Sequence, residues 1–134
     1  GRKKMTRKKG ALTALAILVL IVASGLVYLR GSGPPHIIRN NRVSLNATEF
    51  SFLPADLQTV PGEVSFSVIN QGRFPHVLAI QGMGLRVSTP LIAPGETQTL
   101  RVKFERSGEY RVVCPLKGHA ERGMVGSLQV RVES

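Results

Sequence analysis

Cysteine is nearly missing from these 134 residues: Cys114 is the only one. A disulfide needs two cysteines, so no intrachain staple holds this fold. Acidic residues are missing from the first 30 positions, and aromatic residues make up only 5% of the chain. The formal charge of +10 points to nucleic acid only until it is divided along the sequence. Seven of the 18 Lys+Arg are Arg2, Lys3, Lys4, Arg7, Lys8, Lys9 and Arg30, leaving 11 bases against 8 acids in residues 31–134. That mild excess, without a basic stripe or interleaved aromatic residues, argues against DNA or RNA as a partner. Internal repeats are absent, and from Arg42 onward no stretch has a helical period.

What is present begins with Ala11 to Leu29, ALTALAILVLIVASGLVYL, 19 residues without a charge. At ~1.5 Å rise per residue, such a helix matches the ~30 Å hydrocarbon core of a bilayer. Six bases precede it and only Arg30 follows closely, so the positive-inside bias places a basic tail, residues 1–10, in the cytoplasm and all that follows Arg30 outside. Tyr28 stands where an interfacial aromatic belongs. A cleaved signal peptide is the competing reading, because Val22 and Ser24 are small enough for a cleavage site, but the apolar run exceeds the ~7–15 residues of a signal core. No cysteine follows the run, which excludes a lipoprotein anchor. In either case the expected location of the domain is extracytoplasmic, at the periplasmic or cell-surface side of the membrane.

Residues 30–41, RGSGPPHIIRNN, read as a linker that a Pro pair stiffens towards an extended path. Twelve residues reach at most ~40 Å. From residue 42 to 134 the pattern has period two. Val43, Leu45 and Ala47 alternate with polar residues, then Phe50 and Phe52, then Val64, Phe66 and Val68 after the Pro61-Gly62 turn. Leu100, Val102 and Phe104 form another such face, Tyr110, Val112 and Cys114 the next, and Leu128, Val130 and Val132 the last. Asn70-Gln71-Gly72, Pro94-Gly95 and Ser107-Gly108 mark turns, and Gly82 to Pro94 reads as an irregular connection in which Pro90 limits any short helix. About seven short strands with this punctuation predict an all-β, antiparallel β-sandwich.

The chemistry gathers in one loop. Cys114 ends a strand, His119 follows five residues later and Met124 five after that, before the last strand begins. A thiolate and a thioether suit Cu(I), and imidazole suits both copper states, so the donor set points to copper. Two histidines and a cysteine with a weak methionine form a blue-copper arrangement, which needs a second histidine from elsewhere. His36 falls in the linker, whereas His76 opens an apolar stretch after Phe74-Pro75, so His76 is the expected partner. The plain alternative is a core cysteine, a core methionine and incidental histidines, all of which are common. It requires the joint spacing to be an accident.

Glu49-Phe50-Ser51-Phe52 with Pro54, Gly62-Glu63-Val64, the Asn70 to His76 approach, and above all Tyr110 to Val130 resemble the cupredoxin family of small blue-copper proteins. The loop Cys-x4-His-x4-Met, with Gly118 and Gly123 before its second and third donors, is most similar to the rusticyanin and auracyanin branch. The resemblance covers most of residues 43–132 and implies a Greek-key sandwich. It also implies one type 1 copper ion, with His76, Cys114 and His119 as trigonal ligands and Met124 axial. One departure stands out: many members carry Asn after the first histidine, where it ties down the ligand loop, and this chain has Val77. Pro115, lacking an N–H, offers no hydrogen bond towards the sulfur.

Four protein donors leave no open position for a substrate, so an electron carrier is expected rather than an enzyme. The expectation is a membrane-anchored, monomeric carrier cycling between Cu(I) and Cu(II), with a cytochrome or terminal oxidase as redox partner. Lys117, Glu121, Arg122 and Arg73 would rim the exposed edge of His119, either as a solvated surface or as a docking face. Two alternatives remain: a copper chaperone or sensor, and a fixed copper subunit of a larger redox complex.

Overall fold

The computed structural model describes residues 33–133. The basic tail expected at residues 1–10 and the span expected at 11–29 lie outside them. Among the described residues no helix is long and apolar enough to cross a membrane.

The described residues form ten strands: β1 (His36–Ile37), β2 (Arg42–Thr48), β3 (Ser51–Leu53), β4 (Asp56–Thr59), β5 (Gly62–Asn70), β6 (Ala79–Gly82), β7 (Leu85–Ser88), β8 (Thr97–Phe104), β9 (Gly108–Val113) and β10 (Val125–Val130). They form two sheets, β1-β4-β10-β9-β6-β7 and β3-β2-β5-β8. The inward residues of both interdigitate as a β-sandwich core. On β2 these are Val43, Leu45 and Ala47, on β5 Val64, Phe66 and Val68, and on β8 Val102 and Phe104, all buried as the alternation predicts. Phe66 and Phe104 meet edge to face with ring centroids 6.2 Å apart, and Phe104 meets Tyr110 at 5.0 Å. Burying one such large side chain contributes about 1.5–3 kcal/mol.

Several details differ from the sequence expectation. The pairs β1–β4, β4–β10 and β2–β5 are parallel within otherwise antiparallel sheets. Period two reports which side of a strand faces the core, not the direction of its neighbour. His36–Ile37 pair with β4 and Ile38 is buried, so the sheet starts inside the stretch read as a linker. The connection after Gly82 holds β7 rather than a helix, paired with β6 through a tight turn at Met83-Gly84. Phe50 leaves the core alternation and turns towards the ligand loop, and Val132 is exposed beyond the end of β10.

The sandwich positions its loops by register. Val113 pairs with Val125, so the segment from Cys114 to Met124 is fixed at both ends by adjacent strands of one sheet. β6 pairs with the other side of β9, Ala79 opposite Val113, which brings the residues just before β6 to the same end of the sandwich.

Candidate metal centre

Cys114 follows β9 directly and is fully buried. Its amide donates to the Met124 carbonyl at 3.1 Å, and the Met124 amide donates to the His119 carbonyl at 3.1 Å. The three expected donors of this loop are thus tied together through the backbone. A single 3-10 turn, Ala120–Arg122, follows His119 and ends at Gly123 with φ 110°, a conformation that favours glycine. This reversal returns the chain into β10 with Met124 pointing away from solvent, fully buried.

His76 comes from the other direction. It forms an isolated bridge with Ile92, its amide donating to the Ile92 carbonyl at 3.0 Å and the Ile92 amide donating back at 2.8 Å. Its side chain is fully buried, yet among the described residues Nδ1 has no hydrogen-bond partner, and Nε2 has only the Glu49 Oε1 at 3.4 Å, beyond ordinary hydrogen-bond length. An unpartnered buried polar atom costs about 1–3 kcal/mol. Its persistence here calls for a ligand.

One nitrogen from each of His76 and His119 and the Cys114 sulfur lie within 4.8 Å of one another. Cys114 Sγ and His119 Nδ1 are 3.5 Å apart. For a sulfur and a nitrogen bound to one ion at about 2.0–2.3 Å and some 115° apart, simple trigonometry gives a separation of about 3.7 Å. The cluster therefore fits one metal ion with little movement, and its thiolate, two imidazoles and adjacent buried thioether fit one type 1 copper.

The imidazole environment also suits ligation. Burial pushes the His76 ring below the usual histidine range; Glu49 opposes this and His119 adds to it. This favours the neutral ring that metal binding requires. The Phe74 amide, with the Arg73 amide, holds the Glu49 carboxyl below the usual carboxylate range. The His76 and His119 rings meet edge to face with centroids 5.2 Å apart. Phe50 closes the other side of His119 at 5.1 Å, and Arg122 lies 4.9 Å over the Phe50 ring. His119 remains half-buried, with Arg73, Lys117, Glu121 and Arg122 exposed.

Val77, which stands where a polar tie was expected, is instead a core residue. Asn70 does that work from the end of β5. Its Nδ2 donates to the Phe74 carbonyl at 2.8 Å and the Ile92 carbonyl at 2.9 Å, and its Oδ1 accepts the Gly72 amide at 2.9 Å. Thr89 adds a tie, its hydroxyl accepting the Leu78 amide at 3.1 Å. By its place in Asn70-Gln71-Gly72, Asn70 reads as a turn residue. The available signal was its phase, because it continues the buried face of Val64, Phe66 and Val68 with a polar side chain that is itself buried. His36 is exposed on β1 and takes no part.

The chain is 29% identical over 87 residues to cytochrome c oxidase subunit 2 of Thermus thermophilus, a match covering 63% of this chain and 62% of that protein. The chain thus spans less than two thirds of the length of that relative. The fold is similar to that of dithionite-reduced auracyanin from Roseiflexus castenholzii, with a TM-score of 0.65 and 14% identity over 71% of this chain and all of that one. Auracyanin A, a blue copper protein of Chloroflexus aurantiacus, superposes with a TM-score of 0.59 and 16% identity over 72% of this chain and all of its own. The model of the cupredoxin-like domain matches residues 13–125, and the chain belongs to the cupredoxin-like family.

Proposed function

We propose that this protein is a blue-copper electron carrier, in which His76, Cys114 and His119 would hold one copper ion and Met124 would supply a weaker fourth donor. The observation that carries the reading is the convergence of two histidines and the only cysteine of the chain on one buried point, with a buried nitrogen left unpartnered. Bound copper supplies a single-electron couple between Cu(I) and Cu(II). The protein contributes stiffness: donors fastened by Asn70, by the Cys114–Met124–His119 backbone bonds and by the core keep the same positions in both states. Little rearrangement on gain or loss of an electron makes transfer fast. Half-buried His119 provides the route between the site and solvent.

Copper-loaded protein should be intensely blue or green from thiolate-to-copper charge transfer and should cycle reversibly by voltammetry. A colourless protein that binds only Cu(I) would refute the reading. Burial of Cys114, His76 and Met124 disfavours a chaperone, which must hand its ion to a partner.

The apolar run at residues 11–29 supports tethering to the outer face of a membrane, with the copper domain extracytoplasmic. Tethering would give a high effective concentration near membrane redox partners such as a cytochrome or terminal oxidase. A second reading, a fixed copper subunit of a larger complex, is favoured by the likeness to an oxidase subunit. Co-purification after mild solubilisation separates a shuttle from a subunit, and fractionation with N-terminal sequencing tests the anchor.

A further inference from the structure

Glu49 lies in the turn between β2 and β3, far in sequence from every expected donor, yet its carboxylate reaches the back of the site. Oε1 accepts the Arg73 amide at 2.6 Å and the Phe74 amide at 2.9 Å, and the same oxygen lies 3.4 Å from His76 Nε2. One oxygen thus gathers the chain leading to His76 and the ring of His76 itself. The close approach depends on Gly72: a Cβ there would lie 2.8 Å from the Glu49 carboxyl carbon, nearer than such atoms come. Nε2 is the ring nitrogen beside Glu49, and one nitrogen of the ring lies within 4.8 Å of the Cys114 and His119 donors.

We propose that Glu49 is the positioning residue of the copper site. Its carboxylate, 3.4 Å from Nε2, favours the Nε2–H tautomer of His76 electrostatically and lowers the copper reduction potential by placing a negative charge behind that ligand. The inference rests on the copper-carrier reading. Metal-bound histidines usually pass their second N–H to an acceptor, which fixes the ring and raises its donor strength. A carboxylate acceptor also favours the more positive ion, Cu(II), over Cu(I). With the position after His76 filled by apolar Val77, this anchor comes from the β2–β3 turn, which the pairing of β2 with β5 sets beside the chain leading to His76.

Glu49→Gln and Glu49→Ala in the full chain separate charge from tethering, with circular dichroism confirming the fold of each. Glu49→Gln keeps an oxygen for both amides and removes the charge. It should retain the blue band while the Cu(I)/Cu(II) ratio at a fixed applied potential rises about tenfold, a shift of about 59 mV for one electron. Glu49→Ala should shift the couple in the same direction and weaken copper affinity by about 10–100-fold. In the diamagnetic Cu(I) form, a slowly exchanging His76 Nε2–H resonance should be present in the wild type and lost in Glu49→Ala. A blue wild type whose potential and affinity are unchanged in both variants overturns the Glu49 assignment alone. A wild type with no thiolate-to-copper band overturns the carrier reading and this inference with it.

Discussion

Cys114 and Met124 are both fully buried and lie next to each other across a backbone hydrogen bond, yet their expected contributions differ. The thiolate gives the strong, coloured bond, so Cys114→Ser should abolish the visible band, which absorption titration with Cu(II) will show. The thioether would be a weak donor that tunes potential. Met124→Leu, similar in volume, should therefore keep the fold and the blue colour while raising the potential, because an electron donor to Cu(II) is lost; voltammetry measures this. Both residues also satisfy the pattern of ordinary core side chains. Burial alone does not separate a ligand from filling, whereas the unpartnered Nδ1 of His76 does.

At the scale of elements, the site depends on how strand ends are tied. Asn70→Ala would leave the Gly72 amide and the Phe74 carbonyl without their partner and remove one of the two donors to the Ile92 carbonyl. Losing these should destabilise the domain by at least about 2 kcal/mol. At ~4–8 °C per kcal/mol for a domain of this size, the melting temperature should fall by about 8–16 °C, read by calorimetry. Leu45→Ala at the centre of β2 should cost ~2–5 kcal/mol through the cavity it opens. Its copper spectrum should be unaltered, because β2 contributes no ligand. The contrast distinguishes elements that carry the fold from ties that carry the site.

For the whole molecule, metal and fold are linked by mass action. A copper ion that binds the folded chain at about 100 times its dissociation constant adds ~2.7 kcal/mol of stability. Thermal melts should therefore rise with copper and fall back on chelation. The exposed Arg73, Lys117 and Arg122 outnumber Glu121 around half-buried His119. Electron transfer to an acidic partner should slow as salt shortens the screening length from ~10 Å at 0.1 M to ~3 Å at 1 M. Stopped-flow rates across that range test whether this rim guides encounter.

By itself the sequence determined the period-two faces of the sandwich core and the Cys114, His119 and Met124 spacing. It also nominated His76, because only two other histidines exist and His36 stands apart. These are local properties: alternation follows from the pleat, and donors within one loop are neighbours along the chain. The parallel pairings of β1, β4 and β10, the place of β7, the burial of Val77 and the reach of Asn70 and Glu49 were decided by tertiary structure. Each depends on which segments, distant in sequence, the two sheets bring to one end. Glu49 and His76 are 27 positions apart, and their meeting depends on the parallel pairing of β2 with β5, Ala47 opposite Asn70, which no local pattern encodes.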